Sequence, residues 1–215
     1  MALTLILVRH GESLANNEKF FAGQLDVELS ELGRRQAEMT AEYVASAYKI
    51  DKIYSSTLRR AYDTAKAISE RTNLEIIPRG ELREIYSGEW QGLHFDELQE
   101  KFAESYGVWI NDIGRAEPPS GESVAELYGR AWRAIESIAA ENGDGSTIVV
   151  STHATPIRAI LCRLHGYAVE DMKNIPWGSN ASLAVLELDG ATWSIKLAGY
   201  DEHLKDLKTR FPANV

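Results

Sequence analysis

The chain has 215 residues, 44% of them hydrophobic and 26% charged, with a formal net charge of −9. That length supports one substantial core and is short for two, and the acidic balance argues against a general grip on nucleic acid or an anionic membrane. No apolar run approaches a membrane span, the N-terminal run is too short for a secretory signal, and the single cysteine, Cys162, has no internal disulfide partner, so a cytoplasmic protein is expected.

The first element is "LTLILV", Leu3 to Val8, which lacks polar alternation. Such a run suits a strand buried on both faces of a parallel sheet. It stops abruptly at Arg9, His10 and Gly11. "SELGRRQAEMTAEYVASAYK" then predicts a helix with Ala37, Ala41, Val44 and Ala47 on one stripe. "KIYS" is a second strand, followed by a helix over "TLRRAYDTAKAISERT", and "LEIIP" is a third strand. The stretch 88–121, with Pro118-Pro119, is less regular and reads as a helical insertion or lid within a single domain spanning 1–215. "ESVAELYGRAWRAIESIAAEN" opens with Ser123 and Glu126 placed as a capping box and carries Leu127, Ala131, Ile135 and Ile138 on one face. "TIVVS" is a strand leading to His153, and "TPIRAILCRL" a helix with Pro156 at a tolerated early position. "SLAVLEL" is a further apolar strand, and "LELDGATWSIKL" predicts a hairpin turning at Asp189-Gly190. Alternating strands and helices predict a three-layer α/β/α domain with a mainly parallel central sheet, one antiparallel edge hairpin and a small helical insertion.

Open parallel sheets bind ligands at the carboxyl ends of their strands. Here one strand end carries Arg9-His10, another leads to Thr57-Leu58-Arg59-Arg60, and a third carries His153. Arginines would repel a metal ion, and no HExxH, CxxC or His-x-His spacing is present, so no metal is expected. Guanidinium forks fit the oxygens of a phosphate and stay charged at working pH. A neutral imidazole can attack phosphorus and split hydrolysis into two steps. A second, protonated imidazole would stabilise the transition state. The departing alcohol then needs an acid, for which Glu84 in "ELREIYSGEWQG" is the best placed, with Glu81, Glu89 and Glu12 as rivals by spacing.

"LVRHGES", "AGQLDVELSELGRRQA", "IYSSTLRRAYDTA", "LREIYSGEWQG" and "VVSTHATPIRAIL" together resemble, in order, the blocks of the histidine phosphatase superfamily, which includes the cofactor-dependent phosphoglycerate mutases. The resemblance covers nearly the whole chain. It implies His10 as the nucleophile that becomes phosphohistidine, Arg9, Arg60 and His153 as the phosphate pocket, and Glu84 as proton donor. It also implies Arg60 rather than Arg59, Asn16 as a further phosphate contact, and the backbone at Ala154 as a helix-start contact. No metal and no cofactor are implied, and the partner is a small phosphorylated substrate.

The chain departs from that pattern in places. "HATP" stands where many relatives carry two glycines, and Phe20 and Gln24 stand where mutases carry an arginine and a tryptophan. The mutase arginine pair is not evident in "VWINDIGRAEPPSGES". These changes favour a metal-independent phosphomonoesterase over a mutase. The alternatives are mutase-type phosphoryl transfer, α-ribazole phosphatase-type activity, and a weakly catalytic phosphate-binding protein. Glu12 is expected as a structural acceptor, and Arg59, His94, His165 and His203 as surface or packing residues. Trp90, Trp109 and Trp132 are expected in the core or lid, and Cys162 as buried and inert. Oligomeric state is not legible.

Overall fold

The structure is a computed structural model in which residues 1–209 are described; residues 210–215 of the expected 1–215 unit lie outside the described residues. Strand β1 (Leu3–Arg9) is followed by a short helix α1 (Leu14–Glu18), capped by Ser13, that the apolar pattern does not announce. Helix α2 (Glu31–Ala47), strand β2 (Lys52–Ser56), helix α3 (Arg59–Thr72) and strand β3 (Ile76–Arg79) come next. Within 88–121 the chain forms α4 (Phe95–Lys101) and α5 (Ala103–Asn111), flanked by single 3₁₀ turns. Then come α6 (Val124–Ala140), β4 (Thr147–Thr152), α7 (Ala154–Leu164), β5 (Leu183–Asp189) and β6 (Thr192–Tyr200).

The six strands form one sheet in the order β3-β2-β4-β1-β5-β6. Strands β1 to β4 pair in parallel, whereas β5 runs antiparallel to both β1 and β6. The β5–β6 turn falls at the expected place, with Gly190 at a positive φ of 60°. Alternate residues of β1 enter two cores. Leu3, Leu5 and Leu7 pack with Leu127, Ile135 and Ile160 of α6 and α7, while Ile6 and Val8 pack with Ala41, Val44 and Ile68 of α2 and α3. Burial on both sides explains the unbroken apolar run.

Two local expectations change. Strand β3 starts at Ile76 rather than Leu74 and is only half-buried, because it is the sheet's edge, where Pro78 removes no needed ladder bond. Ala47 is exposed at the end of α2; Gln36 and Thr40 are buried on its inner face instead, and Tyr48 packs against that core from beyond the helix. Segment 88–121 contributes Trp90, Leu98, Tyr106, Trp109 and Ile113 to the larger core, so its apolar side is continuous with the sheet's. Among the described residues, no helix is long and apolar enough to cross a membrane.

Candidate active site

Strands β1 and β4 lie side by side in parallel, with Arg9 opposite Thr152. The next residue on each is a histidine, and the His10 N–H still donates to the Thr152 carbonyl at 3.0 Å. Register alone therefore delivers both imidazoles to the same edge. Their ring centroids lie 5.0 Å apart, with the planes inclined at 61°. On the far side of β4, β2 ends in Ser56, whose hydroxyl is 2.8 Å from Nε2 of His153. Helix α3 begins three residues later and carries Arg60 in its first turn.

The backbone reaches this crowded point because it lacks side chains there. A Cβ on Gly11 would sit 2.4 Å from the Gly33 carbonyl oxygen, and one on Gly33 would sit 1.9 Å from that of Glu12. The first turn of α2 thus presses directly on the loop after His10.

His10 is buried, and its Nδ1 lies 2.7 Å from the Gly11 carbonyl oxygen. A carbonyl only accepts, so Nδ1 carries the proton and Nε2 is the free lone pair. That lone pair accepts from Nε of Arg60 at 3.3 Å. The other Arg60 nitrogens donate to the carbonyls of Leu25, at 3.0 Å, and Gly23, at 2.8 Å. Arg9 is buried as well and donates from Nη1 to the Gly178 carbonyl.

Burial is the main electrostatic force on these groups. It brings both Arg9 and Arg60 down to about 10, opposed in each by the nearby Glu84 charge, so both stay cationic at neutral pH. His10 and His153 are held well below the ordinary imidazole range, first by burial and then by the charge of Arg60, with Arg9 adding to it. Both imidazoles are therefore neutral in the free protein.

Glu84 follows the turn after β3. Its Oε1 accepts from the Ile85 N–H at 2.8 Å and its Oε2 from the Thr155 N–H, at the start of α7, at 3.4 Å. One cleft is lined by Arg9, His10, Asn16, Arg60, Glu84 and Ala154, and its outer wall is aromatic, with Phe20, Phe21, Tyr106, Trp109 and Trp177. Of the residues expected at the site, only His153 does not line it; it is fully buried and lies against His10.

The structure separates Glu84 from its rivals. Glu12 accepts from the Ser30 hydroxyl at 2.7 Å, as a structural acceptor would. Glu89 accepts from Ser120 on the surface, Glu81 is exposed, and none of the three lines the cleft. Arg59 pairs with Glu28 and Asp63 at the surface. Asn16 lines the cleft, but its Oδ1 already accepts from the Ser13 N–H at 3.1 Å and from Asn180 Nδ2 at 3.1 Å. His94 and His165 are exposed, and His203 is buried against both Tyr43 and Tyr200. Trp90 and Trp132 are buried, and Trp109 serves both core and cleft. Cys162 is buried, which pushes its thiol up to about 11.

Sequence reasoning missed four neighbours. Ser56 had a usable signal, a polar residue ending an apolar strand, and Thr155 follows Ala154 at a helix start. Asn180 and Trp177 lie in an aperiodic stretch and had none. Asn180 donates to both Asn16 and the His10 carbonyl across most of the chain's length.

Comparison with known proteins identifies the family. A family model described as "Histidine phosphatase superfamily (branch 1)" matches residues 5–201. Phosphoserine phosphatase 1 of Hydrogenobacter thermophilus is 38% identical over 186 residues, covering 86% of each chain. Phosphoglycerate mutase-like protein 4 of Arabidopsis thaliana is 36% identical over 94% of this chain and 87% of its own. Among solved structures, a mycobacterial glucosyl-3-phosphoglycerate phosphatase superposes with a TM-score of 0.82 at 32% identity, covering 94% of this chain and all of that one.

Proposed function

The chain belongs to the histidine phosphatase superfamily and is a histidine-type phosphatase, and on that premise we propose that it is a metal-independent phosphomonoesterase of a small phosphorylated metabolite that works through phospho-His10. The observation that carries this reading is a neutral imidazole with an unprotonated Nε2, buried among guanidiniums and sharing its cleft with one carboxyl.

The incoming phosphoryl group takes over the Arg60 Nε–H that now rests on His10, and this exposes the lone pair to phosphorus. Arg9 and Arg60 neutralise the equatorial oxygens, with the N-terminal backbone of α7 at Ala154 and the Asn16 side chain as further contacts. A dianion reverses the local field on His153, whose neutral state depends on burial and adjacent cations, so His153 gains a proton as charge builds up. Glu84 takes up a proton as the phosphoryl group binds, supplies it to the departing alcohol and later receives one from attacking water. The donor set supports a reaction without a metal, since fixed positive charge already occupies the place a cation would take.

The aromatic cleft wall supports a substrate whose alcohol part buries flat or apolar surface. Segment 88–121, which supplies Tyr106 and Trp109 to that wall, acts as the roof of the site. A cytoplasmic setting is part of the same reading.

The test is a panel of L-phosphoserine, 3-phosphoglycerate, a sugar phosphate and α-ribazole phosphate, run with His10→Ala as control. Phosphate release that depends on His10 and is indifferent to chelator supports the proposal. Isomer formation outpacing phosphate release from 3-phosphoglycerate, with a bisphosphoglycerate primer, assigns the chain to mutases instead. Tight phosphate binding with no turnover of any ester reduces it to a binding protein.

A further inference from the structure

Arg130 lies on α6, outside the cleft, yet every N–H of its guanidinium is engaged. Nε and Nη2 donate to the two carboxylate oxygens of Glu122, each at 2.7 Å. Nη1 donates to the carbonyls of Glu81, at 2.8 Å, and Arg83, at 2.9 Å. Nη2 also donates to the carbonyl of Glu84 at 3.4 Å. A guanidinium has five N–H donors, and here five acceptors meet them. The Arg130 and Glu122 side chains are only 19% and 16% exposed.

The gripped backbone is the segment that presents the Glu84 carboxyl. It leaves the 3₁₀ turn Gly80–Leu82 and has no sheet or helix of its own before Gly88. It is fastened from the opposite side too. Gln24 Nε2 donates to the same Glu84 carbonyl at 3.0 Å, and the Thr152 hydroxyl donates to the Leu82 carbonyl at 2.7 Å. Glu122 is itself tied to the segment, donating its N–H to the Tyr86 carbonyl at 2.7 Å. Three carbonyls of one short segment thus converge on a planar fork that a single ammonium cannot span.

We propose that Arg130, oriented by Glu122, is a positioning residue for proton delivery: it holds the 81–84 backbone so that the Glu84 carboxyl meets the oxygen that leaves phosphorus. The inference rests on the reading of Glu84 as the proton donor. In that step the bond from His10 Nε2 to phosphorus forms and the ester P–O bond breaks. The electron pair left on the ester oxygen takes the Glu84 proton, and the alcohol departs neutral. A weakly basic phenolate departs without that proton, so the demand on Glu84, and through it on Arg130, rises with the basicity of the leaving group.

The experiment compares phenyl phosphate with 4-nitrophenyl phosphate, which have similar shape and different leaving-group basicity. The enzymes are wild type, Glu84→Gln, Arg130→Lys and Glu122→Gln, each checked by thermal unfolding and by inhibition with inorganic phosphate. A general acid contributes about 10²–10⁴-fold, and small displacements forfeit a large part of it. Arg130→Lys is expected to lose roughly 10- to 100-fold on phenyl phosphate and about threefold or less on 4-nitrophenyl phosphate, with phosphate inhibition unchanged. Glu122→Gln moves the same way by less, and carries the comparison if Arg130→Lys does not fold. Equal losses on both esters in these variants, with Glu84→Gln still discriminating between them, overturn the inference alone. Equal losses in Glu84→Gln overturn the assignment of Glu84, and the Arg130 inference with it.

Discussion

Nε of Arg60 donates to Nε2 of His10 at 3.3 Å, and the pair is buried. A cation thus rests on the lone pair proposed to attack phosphorus, while the Gly11 carbonyl keeps the proton on the opposite ring nitrogen. On the proposed reading, nucleophile and phosphate ligand are in contact before substrate arrives, and the rearrangement that binding requires is transfer of this Arg60 N–H from His10 to a phosphoryl oxygen.

His10→Ala is expected to abolish turnover by about three orders of magnitude or more, since a lost nucleophile is not replaced by its neighbours. Rapid acid-free quenching of wild type with a labelled ester should show an acid-labile label on the protein that His10→Ala lacks. A labelled His10→Ala protein would place the covalent step elsewhere.

Arg60→Lys keeps a charge but cannot hold Leu25, Gly23 and His10 together. Removing such a donor from a site of charge development typically costs about 10²–10³ in rate. The carbonyls left without partners should lower stability by about 1–3 kcal/mol. Steady-state kinetics and urea unfolding on the same preparation would separate the two losses.

Stability should fall as the medium is made acid. His10 and His153 bind their protons only well below 6.5 when folded, but near 6.5 when unfolded. Below the unfolded value the unfolded chain therefore binds more protons, and stability falls with decreasing pH by up to about 1.4 kcal/mol per pH unit for each histidine. Above pH 6.5 this contribution is constant. Urea midpoints between pH 5 and 8 would show the slope, and His153→Gln should reduce it.

Phosphate binding should take up protons. Burial and adjacent cations keep both imidazoles neutral in the free protein, and a bound dianion raises the affinity of His153 for a proton. Calorimetric titration with inorganic phosphate near neutral pH, in buffers of different ionisation enthalpy, should report net uptake once the proton released by the phosphate's own second ionisation is subtracted. Proton release would contradict the electrostatic account.

Gly33→Ala should act on the site from a distance. The added carbon would lie 1.9 Å from the Glu12 carbonyl oxygen, so α2 or the loop after His10 must shift. Overpacking of this kind costs about 1–3 kcal/mol. Urea unfolding should show that cost together with a reduced kcat for the same variant.

Much of this molecule is legible residue by residue. Both-face burial of the strand before Arg9 needs no partner to be read, because a polar side chain on either side would break the run. The capping box at Ser123 and the turn at Gly190 are local hydrogen-bonding and backbone preferences. The short helix at Leu14 and the start of β3 are less legible, since one is a single turn and a bit and the other is an edge whose length depends on what covers it.

What the amino-acid order determined alone is the inventory: which side chains sit at strand ends, and that they are imidazole and guanidinium with no metal-ligand spacing. Folding decided which of them meet. Glu84 stands apart from Glu12, Glu81 and Glu89 only because β3 and α7 bring its carboxyl to Thr155. Asn180 reaches Asn16, and Arg130 reaches the loop of Glu84, from far along the chain. Spacing describes neighbours along a backbone, whereas proton transfer and charge neutralisation depend on a few ångströms through space, and sheet register and helix packing set those distances.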